Sequence, residues 1–118
     1  MTYTAEIPYG AYWSTPFARW QGAFADLNAV EFAAHVTRRE LAQRQIGPEV
    51  FDHGALGMSV PQKHSFYGLP WFAGMAGAGQ IGGPTLMQAC ATGVRTLLAG
   101  VQEIETGLAH TSLTATCD

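Results

Sequence analysis

A cysteine stands at position 90 in the run LMQACATGVRTLLAG, one of 2 in a chain of 118 residues. It falls where a strand-like apolar run, PTLMQA at 84–89, gives way to small residues and then to a helical repeat. A thiol at the start of a helix meets unpaired backbone N–H groups and the positive end of the helix dipole, which favour its thiolate and make it a nucleophile. Ala91, Thr92 and Gly93 keep the approach to that sulfur uncrowded. They leave space for a thioester carbonyl whose oxygen a backbone N–H would meet. The placement resembles a nucleophile elbow. Free cysteines are also among the most buried residues, so a packed, inert thiol fits position 90 as well, and it is the reading for Cys117 in its predicted strand.

The remaining chemistry-bearing residues are dispersed. The histidines, His35, His53, His64 and His110, form no HxH or HxxxH pair, so a metal site built within the chain is not expected. His64, in the loop PQKHS beyond a strand's carboxyl end, is the candidate substrate-loop residue, because open sheets gather their active-site loops there. An ordinary loop histidine is the competing reading. Residues 77–82, GAGQIG, match a dinucleotide-binding glycine pattern, with Glu103 at about the spacing of a ribose contact. The context rejects the match, because the glycines follow a helix-like segment and precede a strand, the reverse of what pyrophosphate binding needs.

Charge and hydropathy narrow the function classes. Lys and Arg number 6 and are scattered, with only Arg38 and Arg39 adjacent, along a chain of net charge −3, so no basic stripe is present to neutralise a nucleic-acid backbone. No apolar run reaches the roughly 18 residues of a membrane span, and the start, MTYTAEIPYG, lacks a basic segment followed by an apolar one. With two unpaired cysteines and no disulfide framework, a cytosolic protein is expected. Charged residues make up only 13% against 47% apolar, and a surface so poor in charge is expected to meet another protein.

The elements that must position Cys90 and His64 follow from periodicity and breakers. A short edge or irregular strand is predicted over 4–13, then a loop rich in aromatics. A helix starts at Ala29 behind the capping-box pair Asn28 and Glu31 and runs until Gly47 and Pro48 stop it. Strands are expected at 53–60, 84–89 and 110–117, with a glycine-interrupted helix at 65–78. The last helix carries Val94, Leu97, Leu98, Val101 and Ile104 at helical spacing and is capped by Gly107. Such alternation builds one α/β domain, residues 1–118, with a largely parallel sheet covered by helices.

The stretch STPFARWQGAFADLNAVEFAA, then FDHGALGMSV, then QACATGVRTLLAGVQEIETG and a last strand ending in CD, is similar in order and spacing to the thiolase family. Thr15, Pro16, Phe17, Arg19, Trp20 and Gly22 occupy the family's early Thr-Pro-Phe stretch. Cys90, Ala91, Thr92 and Gly93 match its Cys-(Ala/Gly)-(Ser/Thr)-Gly motif. The resemblance implies most of the N-terminal half of a thiolase-like fold, and acyl transfer in which Cys90 attacks an acyl-coenzyme A thioester. That thioester would be a substrate, with no bound cofactor. Ser14 departs from the family's arginine, and PQKHSFYG lacks the asparagine and arginine common in degradative members. The family's second half, which carries its Asn-Glu, Gly-His-Pro and Cys-x-Gly acid/base motifs, is missing from these residues. A partner polypeptide or segment supplying it, within a homo- or hetero-oligomer, is therefore expected. Two alternatives stay open on the same residues: a non-catalytic thiolase-like assembly subunit, and a carbon–carbon lyase resembling sterol-carrier-protein-type thiolases. Cys90 disfavours the lyase.

Overall fold

The computed structural model describes residues 2–118. At its centre is β1, His53–Gly57, whose five residues are all buried. It pairs in parallel with β2, Thr85–Leu86, on one edge and with β3, Ser112–Thr116, on the other, giving the order β2-β1-β3. A strand paired on both edges and covered on both faces has no wet side, which is why HGALG carries glycine, alanine and leucine in place of alternating polar residues.

Successive residues of the sheet face opposite layers. Leu56 and Leu113 turn toward α1, Ala29–Gln43, and α2, Gly68–Ala76, where they join Val30, Ala34, Leu69 and Phe72 in the core. Leu56, Leu69 and Phe72 have no solvent exposure, and each such side chain stabilises the fold by roughly 1.5–3 kcal/mol on leaving water. The other face belongs to α3, Thr92–Glu105, which lies on small and hydroxyl-bearing residues. A Cβ added at Gly57 would strike Thr96 Oγ1 and come within 2.7 Å of Thr92 Cγ2, and one at Gly100 would come within 2.7 Å of Thr114 Cγ2. Two missing side chains thus set how closely α3 approaches the sheet.

Asn28 caps α1 as expected, its Oδ1 accepting from the N–H groups of Val30 at 3.0 Å and Glu31 at 3.2 Å. The helix stops at Gln43, before Gly47 and Pro48. Gln45 adopts φ +56°, its N–H returns to Ala42 O, and the Ile46 N–H returns to Leu41 O, a closure that glycine usually provides.

The strand predicted over 4–13 does not form. Pro8 lacks an N–H, Gly10 sits at φ +82°, and side chains take up the segment's polar groups instead. Glu105 Oε1 accepts from the N–H groups of Thr4 at 2.5 Å and Ala5 at 2.7 Å. Arg44 donates to Gly10 O at 2.7 Å and Tyr12 O at 3.2 Å, with its guanidinium 5.0 Å from the centre of the Trp13 ring. The same arginine bonds Glu40, which holds that carboxyl below its ordinary range. The strand expected at 84–89 shortens to two residues, because Pro84 has no N–H and the chain leaves the sheet after Leu86. No helix among the described residues is long and apolar enough to cross a membrane.

Candidate active site at the Cys90 elbow

Between β2 and α3 the chain makes a single 3-10 turn, Ala89–Ala91, and Cys90 is exposed on it. Ala89 holds φ +47°, a left-handed conformation that costs a non-glycine residue roughly 1–2 kcal/mol. The turn is closed from below by Thr92. Its hydroxyl accepts the Gln88 N–H at 2.8 Å and donates to Ala89 O at 2.7 Å, while the Ala91 N–H reaches Gln88 O at 3.0 Å. Among the described residues the Cys90 N–H has no hydrogen-bond acceptor. An accessible thiol beside a free backbone N–H at a helix's amino end can attack a carbonyl and hold the oxyanion that results.

The structure distributes the predicted approach residues differently. Ala91 and Gly93 are exposed beside the sulfur, whereas Thr92 turns inward at 5% exposure and packs toward Gly57. His64 lies at the same end of the sheet, in the loop after β1, with φ +66° and its ring edge-on to Trp71 at 6.0 Å. It lines a groove of about 430 Å³ with Met58, Pro61, Phe66, Leu86 and Met87. Cys90 is not one of that groove's walls, so the two candidates share an end of the sheet without sharing a cavity.

Sequence reasoning missed the ties that fix this end. The Asp118 carboxylate accepts from the N–H groups of Ser59 at 2.7 Å and Val60 at 2.9 Å, and from the Ser59 hydroxyl. Gln62 Oε1 accepts from the Ala29 N–H at 2.8 Å, and Asn28 Nδ2 donates to Lys63 O at 3.0 Å, fastening the His64 loop to the start of α1. An acidic residue just beyond a strand was the only available signal, and nothing in its spacing names its partners.

Cys117 is half-buried, and desolvation, helped by the Asp118 charge, pushes its thiol up to about 11. GAGQIG closes a packed turn in which Ala78 and Ile81 are buried. Among the described residues no three His, Cys, Asp or Glu side chains gather to hold a metal ion.

The stripe at helical spacing along α3 is split: Leu98, Val101 and Ile104 are half-buried, and Val94 and Leu97 are exposed. Val94 is 75% and Leu97 41% exposed, while Thr92, Thr96, Ala99 and Gly100 take the inner side. Arg95 Nη1 is buried without a hydrogen-bond partner.

A parallel α/β layer that presents a cysteine on the turn opening a helix defines a class. Residues 11–115 match the thiolase N-terminal domain, and the chain belongs to the thiolase family. Among solved structures it is similar to human mitochondrial 3-ketoacyl-CoA thiolase, with a TM-score of 0.76 at 21% identity over 83% of this chain. It is also similar to the same human enzyme in complex with CoA, with a TM-score of 0.74 at 21% identity and the same coverage. The chain spans 25% of the length of those proteins. No curated protein matches it.

Proposed function

We propose that this chain carries the nucleophile of a thiolase-type acyltransferase. The Cys90 sulfur adds to the carbonyl carbon of an acyl-coenzyme A thioester, the Cys90 N–H stabilises the oxyanion, and collapse breaks the carbon–sulfur bond to coenzyme A. Coenzyme A leaves as a thiol, taking up the proton given up by Cys90. The acyl group passes from Cys90 to an acceptor, or a 3-ketoacyl thioester is cleaved by the reverse condensation. The observation that carries this reading is the exposed thiol on a strained turn beside an unpaired N–H.

Acid/base groups and the rest of the substrate pocket come from the remainder of a thiolase, on the same or a second polypeptide, within an oligomer. Such a partner would cover Val94 and Leu97 on the outer face of α3 and offer an acceptor to Arg95 Nη1. In this reading the protein works in the cytosol on lipid-derived thioesters.

Intact-mass measurement of every polypeptide in the purified protein, before and after exposure to acyl-coenzyme A with an acid quench, tests the assignment. An acyl adduct mapped to Cys90, absent from Cys90→Ser, is expected. An adduct that survives Cys90→Ser, or none with the full set of polypeptides present, would end it.

A further inference from the structure

The turn bearing Cys90 has no glycine at its left-handed position. Ala89 stands there at φ +47°, and a residue without that freedom stays left-handed only where its surroundings hold it. The Thr92 hydroxyl is what holds it. This one buried group, two residues after Cys90, bonds the Gln88 N–H and the Ala89 carbonyl just before it, so it ties the chain that follows Cys90 back to the chain that leads into it. Thr92 is itself fixed, because its carbonyl accepts from the Thr96 hydroxyl at 2.7 Å and its methyl packs on the side of β1 left open by Gly57.

Resting on the acyl-transfer reading above, we infer that Thr92 is a positioning residue. Its hydroxyl sets the Gln88 and Ala89 peptides so that the Cys90 sulfur and the Cys90 N–H address one carbonyl together. Thr92 touches no reacting atom. A reaction that needs sulfur and N–H in register depends on this hydroxyl, whereas one that needs the sulfur alone does not.

Two probes separate those demands in the full protein. p-Nitrophenyl acetate acetylates the thiol through an oxyanion and carries no coenzyme A, while iodoacetamide alkylates the sulfur by simple displacement. Thr92→Val keeps the shape of the side chain and removes the hydroxyl. Acetylation of Cys90 in this variant is expected to slow about tenfold or more, with alkylation changed less than about threefold, since small misplacements act on aligned reactions. Thr92→Ser restores the hydroxyl and is expected to keep both rates near wild type. Circular dichroism and thermal melting identify any variant that fails to fold, and Thr92→Ala, which also lacks the hydroxyl, then stands in for the valine variant.

Equal acetylation by wild type and Thr92→Val would overturn the inference. So would equal loss of both reactions, or a folded Thr92→Ser that acetylates as poorly as the valine variant. A wild-type protein acetylated by the ester and inert to acyl-coenzyme A would overturn the proposed substrate and leave the positioning role measured. Inertness of Cys90 to both acyl donors would remove the role together with the substrate.

Discussion

Iodoacetamide near neutral pH is expected to label Cys90 and to leave Cys117 almost untouched. The first thiol is exposed, while the second is half-buried with its ionisation pushed up to about 11. At neutral pH roughly one Cys117 in ten thousand is then a thiolate, and the thiolate is the species that reacts. Peptide mapping after timed alkylation checks this, and comparable labelling of both would contradict the burial of Cys117. The same shift has a stability sign. Burial favours the protonated thiol in the folded state, so its contribution is fully present below the ordinary value of 9.0 and is lost as pH rises toward 11. Denaturant titrations should show an alkaline decline that is shallower in Cys117→Ala. The position of Cys90 was legible because a thiol between a strand-like run and a helical repeat can be read from order alone. The inward turn of Thr92 was not, because a threonine two residues on fits either side of a turn until its hydrogen bonds are known.

α3 approaches β1 through a gap that one methyl group would close. Gly57→Ala places its Cβ against Thr92 and Thr96, and such overpacking typically costs about 1–3 kcal/mol. A lowered melting temperature with slower acetylation of Cys90 is expected, because the same contact sets where the elbow sits. Asp52 performs a similar service before β3, its carboxylate accepting from the N–H groups of His110 and Thr111. The Thr111 bond, then the His110 bond, hold that carboxyl below its ordinary 3.8. Its stabilisation is therefore present above that value and lost as pH falls through the lowered one. Asp52→Asn should flatten the acid limb of the stability profile below about pH 4, read by chemical denaturation across pH. The α/β order and the central strand were legible from hydrophobic periodicity. The first strand was not, since side chains far along the sequence, Glu105 and Arg44, decide what the early backbone bonds to, and the length of β2 was not, since the apolar run PTLMQA does not say where the chain leaves the sheet. The early stop of α1 was hidden for another reason: glutamine seldom takes the left-handed closing position that Gln45 holds.

Across the whole molecule, large apolar side chains stay exposed on the N-terminal segment, on the loop after β1 and on α3. α3 buries threonine, alanine and glycine against its own sheet and leaves Val94 and Leu97 exposed, with Leu98, Val101 and Ile104 half-buried. On the function proposed above, Val94→Glu in the full protein is expected to weaken association with the rest of a thiolase and to leave the circular dichroism of this part unchanged. Light scattering, or protease sensitivity for a single chain, measures it. An unaltered assembly would mean that the stripe is not the contact face. The sparse charge of the sequence led to the expectation of a contact surface, and the exposure of Val94 and Leu97 could not be read from spacing, because a helical stripe does not say which of its residues the sheet covers.

Residues 2–28 carry no helix or strand, yet Thr4 and Ala5 are tied to Glu105 across a sequence separation of 101 and 100 residues. A tie of that span is expected to form after α3 has docked, since closing a long loop costs entropy that the two hydrogen bonds alone do not repay. The amino terminus therefore reports on the opposite end of the chain. During refolding, protection of the first residues against proteolysis should arise last, and its onset should time the docking of the helix that Cys90 opens.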